Sequence, residues 1–440
     1  MPTIDDTVNF STEKFEIYRR DVGVPKGYLR RVLWSNPGPY EDSSPLNPKI
    51  IQKLVKVSNT FVDSCHHMSE DAEFLESLRG KFDIGLVEQY DSCGFGIFKK
   101  LGINSTIWLS ATALYRPQAN NIGVNLPYSY VPELFAQFSD EMTFLQKFVN
   151  ILIGQTTSIL LENFVQSRQS KIFGFDLSET IQQTSSVLVN SAPFFDFSMP
   201  TSQQFSNIAG FTVDKNPPKL DFYWQKIADV QSFILVSFGG IARTCDMSIE
   251  MQQIFFDSFS KFPNITFIVK YEVEPNFDIP NNVILTPWIP QLPLMAHKNY
   301  RSIITHGGWS TILETTIFSK PMILMPLFAD HAKNSKVAES KQIAVLLDKM
   351  NLSVSKVVKA IELVLEDSKF AENCQKFSKM FCDLPISHEE MINWRIRRAM
   401  KPHSEKFLKP KEPKFEFLQC STLFIVILFI YSKLKNINIH

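Results

Sequence analysis

Glycine is scarce in this chain of 440 residues, with 16 glycines against 38 phenylalanines. A residue without a Cβ is kept where the backbone must turn tightly or let something approach, so each glycine invites an explanation. The six cysteines (Cys65, Cys93, Cys245, Cys374, Cys382 and Cys420) are scattered and include no C-x-x-C pair. That argues against both a zinc site and a disulfide framework and leaves the redox compartment open. Charge imbalance is also missing: Lys+Arg and Asp+Glu each number 45, so nothing draws the chain as a whole toward nucleic acid. No repeats or low-complexity segments stand out. The opening residues, MPTIDDTVNFSTEKFEIYRRD, carry acids early and no apolar core, which does not read as a signal peptide.

The C-terminus differs. Residues 417–432, FLQCSTLFIVILFIYS, carry no charge, and Lys433 and Lys435 follow at once. The run is just short of the roughly 17–25 residues of a spanning helix. Its terminal place and basic flank favour a membrane anchor over a buried helix, with the short tail cytoplasmic and the bulk of the chain across the membrane.

Between the ends, apolar strands alternate with helical stretches. SFILVSF (232–238), ITFIVKY (265–271), NVILTPW (282–288), RSIITHGG (301–308) and PMILMPLFADH (321–331) read as strands and their exits. Met251, Ile254, Phe255, Phe259 and Phe262 form a helical stripe closed by Pro263. In the first half, KFDIGLVEQY (81–90), NSTIWLSAT (104–112) and SSVLVNSAP (185–193) read as strands, with a helix over 93–101. Pro217–Pro218 marks a linker. This alternation predicts an α/β fold with parallel sheets covered by helices.

Ligands of such sheets bind at the carboxyl ends of the strands. One strand ends at His306, and Gly307 and Gly308 then let the backbone turn toward a ligand before a helix begins near Ser310 or Thr311. The unpaired N–H groups and positive dipole of that helix start favour an anion, to which His306 can donate. Thr311 and Glu314 also read as a capping box, a purely local device. Trp288 can stack on a base or fill a core. Asp330 can grip hydroxyls or cap a helix, and His331 can do the former or lie idle on the surface.

Taken in order, WIPQ (288–291), ITHGGWSTILE (304–314) and PMILMPLFADHAKN (321–334) resemble the donor-binding signature of the UDP-glycosyltransferase family, of UDP-glucuronosyltransferase-like, nematode type. VNSAPFFDFSMPTSQQFSNIAG (189–210), LVSFGG (235–240), FDIGLVEQYDSCGFGIFKKLGI (82–103) and SYVPELFAQFSDEMTFLQKFVN (129–150) extend the likeness over most of the chain. The resemblance implies two facing Rossmann-like domains of GT-B type: residues 1–215 on the acceptor side and 219–385 on the donor side. Residues 386–415 would pack back, with INWRIRR (392–398) among them, before the anchor at 417–432. It implies inverting transfer of a hexose or glucuronic acid from a UDP-sugar to the hydroxyl of a small lipophilic acceptor, without metal or further cofactor. A single-pass protein of the endoplasmic reticulum with a luminal catalytic part is implied, with homo- or hetero-oligomers of related transferases as partners. In a luminal chain Asn104 and Asn351 would be glycosylation acceptors.

By position, Trp288 would stack on uracil, Gln291 would bond its edge and Glu314 would hold the ribose hydroxyls. His306, Gly307, Gly308, Ser310 and the loop of Ser237, Gly239 and Gly240 would hold the diphosphate, and Asp330 and His331 the sugar. Glu88 matches the acid that orients the catalytic histidine. Ser310 replaces the commoner Asn after an unusual Trp309, His331 replaces the commoner Gln, and Ser319–Lys320 replace a Gly-aliphatic step. The histidine base itself would lie upstream of Met1, so the chain reads as starting late. The alternative is therefore a UDP-binding relative with impaired catalysis, or a partner subunit of active transferases.

Overall fold

A computed structural model describes residues 16–401 except Arg19, Ser43, Pro45, Leu46 and Asn276. The C-terminal run 417–432 lies outside the described residues, so the expected anchor has no structural account here. Two parallel sheets organise the rest. The first has four strands in the order β1-β2-β3-β4: β1 Gly85–Glu88, β2 Thr106–Ser110, β3 Ser186–Val189 and β4 Phe205–Asn207. The second comprises β5 Phe233–Ser237, β6 Thr266–Lys270, β7 Val283–Thr286, β8 Tyr300–Thr305, β9 Met322–Leu324 and β10 Ala344–Leu346. Its order, β10-β9-β8-β5-β6-β7, places the chain reversal between β5 and β8. Every pairing in both sheets is parallel.

β5 shows why an unbroken apolar run precedes each loop: all five of its residues are buried, because helices cover both faces of a parallel sheet. On one side of the second sheet Leu235, Ile303 and Leu324 pack with Ile312 and Leu313 of the helix Trp309–Ile317. On the other, Ile234, Val236 and Ile304 pack with Phe255 and Phe259 of the helix Ile249–Phe259. The strands β4 and β10, three residues each, were not expected.

The first sheet carries the helix Pro48–Glu70 and a continuous helical stretch over Phe144–Phe173. The latter is the one helix among the described residues long and apolar enough to cross a membrane by length and composition. The helix His388–Ala399 returns to this sheet, where Arg395 donates to Ser206 Oγ and to the carbonyls of Gln203 and Phe205.

One expectation from the cysteine pattern is overturned. Cys65 and Cys93 form a disulfide, with Cα atoms 5.6 Å apart. The bond links the helix Pro48–Glu70 to the start of the helix Cys93–Lys100. Tertiary packing brings them together across 28 residues, and no short spacing announces that.

Candidate active site

Five strands of the second sheet, β5 to β9, deliver their ends to one edge. β5 ends at Ser237 and enters a loop in which Gly239 has φ +88°. A Cβ on Gly239 would stand 2.8 Å from His306 Cε1, so only glycine allows the loop to lie over the imidazole. β8 ends at Thr305, and Gly307 then turns with φ +87°, where a Cβ would meet Ser335 Oγ at 2.4 Å.

The helix that follows starts at Trp309, with Gly308 as its N-cap and no side-chain cap. The capping box expected of Thr311 and Glu314 is not formed. Instead both face Gln291, whose Nε2 donates to Glu314 Oε2 at 2.6 Å and reaches Thr311 Oγ1 at 3.5 Å. The helix begins before Thr311, which therefore lies inside it and cannot serve as its N-cap. Ser310 is exposed in the first turn of this helix.

Trp288 is 73% exposed at the exit of β7, so the reading of it as core is wrong. Lys270, at the end of β6, was missed. Its Nζ lies 5.9 Å from the Trp288 ring centre, donates to Gly239 O at 2.7 Å and stands 3.6 Å from Glu272. A lysine closing a strand looks like an ordinary solvated charge, and only its position at the same edge as the other strand ends could have singled it out.

His306 and His331 meet edge to face, ring centres 4.4 Å apart. His331 is buried rather than idle on the surface, and the N–H of Phe328 points to its Nδ1 at 3.4 Å. Burial pushes its pKa down to about 3. Burial, with His331 beside it, also holds His306 well below the ordinary histidine value. Both rings are neutral at pH 7, and His306 Nδ1 lies 3.1 Å from Thr305 Oγ1. Asp330 sits at the N-cap position of the helix His331–Ser340 without capping it. Its Oδ2 accepts from Asn334 Nδ2 at 2.6 Å, and the same nitrogen reaches Gly307 O at 3.2 Å, tying this strand exit to the glycine turn. Burial raises the Asp330 carboxyl.

The first sheet meets this edge. Glu88 is exposed at the end of β1 and accepts the N–H of Tyr90 at 3.0 Å, and desolvation raises its carboxyl pKa. The Tyr90 hydroxyl is pushed up by desolvation first, then by the charges of Asp330 and Glu88. On the helix Pro48–Glu70, His66 pairs with Glu70 at 3.5 Å and His67 packs on Gly23. Two buried contacts fix the halves together. Trp309 Nε1 donates to Asn190 O, and Lys333 Nζ lies 3.6 Å from Asp196 Oδ1. The unusual tryptophan is thus a clasp between the sheets.

Strand ends gathered at one sheet edge, an exposed indole, a carboxylate–amide pair and neutral imidazoles at a helix start agree with one family model. The model, UDP-glucoronosyl and UDP-glucosyl transferase, matches residues 14–436. The chain belongs to this family. Relatives include putative UDP-glucuronosyltransferase ugt-50 of Caenorhabditis elegans, 25% identical, covering 80% of this chain and 70% of that protein. Human UDP-glucuronosyltransferase 1A1 is 25% identical, covering 86% and 72%. UDP-glucosyltransferase 2 of Dactylopius coccus is 29% identical, covering 76% and 66%. Among solved structures, Os79 from O. sativa in complex with U2F and trichothecene has a TM-score of 0.57 at 16% identity, covering 89% of this chain and 90% of that one. Spinosyn forosaminyltransferase SpnP has 0.56 at 15%, covering 82% and 85%. These neighbours are GT-B glycosyltransferases, and the chain shares their α/β fold of parallel sheets. The relatives support UDP-sugar glycosyltransfer by a hexosyltransferase and do not favour the reading of a binding-only relative.

Proposed function

We propose that the chain transfers a hexose or glucuronic acid, with inversion, from a UDP-sugar to a hydroxyl of a small lipophilic acceptor. The observation that carries the donor side is the exposed Trp288 at the exit of β7, followed by Gln291, which binds Glu314 of the helix after β8. The indole stacks on uracil, Gln291 bonds the uracil edge and Glu314 takes the ribose hydroxyls. Neutral His306, the amides at Trp309–Ser310, the loop of Ser237, Gly239 and Gly240, and Lys270 take the diphosphate. Together they neutralise the departing charge in the way a metal does elsewhere. Asp330 and His331 hold the sugar. As the acceptor oxygen bonds the anomeric carbon, the bond to the diphosphate breaks. The acceptor's proton passes to the histidine base that the resemblance implies, which Glu88 orients, and UDP leaves with the electron pair of the broken bond.

For the acceptor we propose the apolar cavity of about 450 Å³ next to Phe328 and Ala329. It lies between the helix Pro48–Glu70 (Ile50, Leu54), the helix Phe144–Ser158 (Ile153) and the exit of β9. Residues 1–215 then form the acceptor side, 219–385 the donor side and 386–415 a segment returning to the first. The Cys65–Cys93 disulfide supports folding in an oxidising compartment, which fits a luminal catalytic part held by residues 417–432. Incubation with UDP-glucuronic acid, UDP-glucose and UDP-galactose and a set of phenolic acceptors, in EDTA, tests the reading. Acceptor-dependent UDP release with one of these donors is expected. Release that requires added metal contradicts the proposed diphosphate site.

A further inference from the structure

The loop after β5 is tied down from behind at alternate carbonyls. Gly239 O accepts from Lys270 Nζ at 2.7 Å, Ile241 O from Trp34 Nε1 at 3.2 Å, and Arg243 O from the Tyr40 hydroxyl at 3.1 Å. Trp34 and Tyr40 come from the other end of the chain. Trp34 ends the helix Tyr28–Trp34, and the two rings stand 6.0 Å apart. The Tyr40 ring packs edge-on against Phe238, and Arg30 lies 3.5 Å from Asp246. The strap is itself fixed. Lys53 Nζ donates to Leu33 O at 2.9 Å and to Pro37 O, and Lys349 Nζ joins Pro39 O at 2.8 Å to Leu327 O at 2.6 Å.

A trans peptide points its N–H opposite its carbonyl. Turning the carbonyls of residues 241 and 243 toward the strap therefore turns the N–H groups of Ala242 and Thr244 away from it. Neither N–H finds an acceptor among the described residues. The glycines leave this loop floppy unless something outside orders it, and ordering it in advance removes that cost from ligand binding.

We propose that Trp34 and Tyr40 are positioning residues of the donor site, which fix the backbone of the 239–243 loop at the diphosphate. This rests on the assignment of that loop to the diphosphate. Neither residue touches the ligand. Each acts through one carbonyl, and neither has a part in holding uridine, whose proposed contacts at Trp288, Gln291 and Glu314 lie on other strand exits.

The discriminating measurement is the ratio of UDP to uridine affinity, by calorimetry on the full chain. Tyr40→Phe keeps the ring and removes the single donor, and Trp34→Phe puts a smaller aromatic ring in place of the indole and removes its donor. UDP affinity is expected to fall about 3- to 10-fold in each, the worth of one hydrogen bond, with uridine affinity unchanged. Thermal melting of the same samples reports the fold separately. A UDP-to-uridine ratio equal to wild type in both variants overturns the proposal, and so does a parallel loss of both ligands, which marks a merely structural role. A wild-type chain that binds uridine as tightly as UDP refutes the diphosphate assignment itself.

Discussion

Gln291 and Glu314 come from the exits of different strands and meet with Gln291 Nε2 donating to Glu314 Oε2 at 2.6 Å. The contact holds the carboxylate at the edge where the strands end, and desolvation raises its pKa. Glu314→Ala is expected to weaken UDP binding by roughly 10- to 100-fold, as for loss of a hydrogen bond to a charged group. Calorimetry with UDP checks this, and unchanged affinity contradicts the ribose assignment.

Trp288 separates binding from stability. Because it is 73% exposed, Trp288→Ala should change unfolding free energy by no more than about 0.5 kcal/mol. Loss of base stacking should weaken UDP by about 1–3 kcal/mol. Paired melting and binding curves test the split. A large drop in melting temperature with unchanged UDP affinity reverses it.

His331 makes a signed pH prediction. Its pKa is lowered in the folded state to about 3, so below the unfolded value near 6.5 the unfolded chain binds a proton that the folded chain refuses. Its contribution to stability is therefore lost as pH falls from about 6.5, by up to roughly 1.4 kcal/mol per pH unit. Asp91, raised to about 6 by burial, acts in the opposite sense over the same range, so the total profile is not diagnostic. The difference between wild type and His331→Gln is. The variant should gain on wild type as pH drops from 6.5 to 5 in urea titrations. A pH-independent difference contradicts a buried neutral His331.

Glu88→Ala should lower the transfer rate and leave UDP affinity unchanged, because Glu88 closes β1 of the other sheet. Rates under saturating donor, set beside UDP calorimetry, check this. Weakened UDP binding in the variant contradicts its place on the acceptor side.

The strand ends were legible because a buried parallel strand is an uninterrupted apolar run, so Ser237, His306 and Asp330 stand out where the run stops. β4 and β10 were not, since three residues carry no periodicity. The Cys65–Cys93 bond and the Trp309–Asn190 clasp depend on tertiary packing over long separations. The T-x-x-E motif misled for a different reason. The helix starts at Trp309 with Gly308 as its N-cap, which puts Thr311 inside the helix and leaves Glu314 to Gln291. Lys270 was hidden by its ordinary chemistry and became visible only through its bond to Gly239.

The central claim is a metal-independent UDP site built from the strand exits around Trp288, His306 and Glu314. A UDP titration of the full chain in excess EDTA, run beside Trp288→Ala and Glu314→Ala, tests it most directly. The account predicts one saturable site in wild type, unaffected by EDTA and strongly weakened in both variants. Absence of UDP binding by folded wild-type protein, or binding that both variants retain, would contradict it.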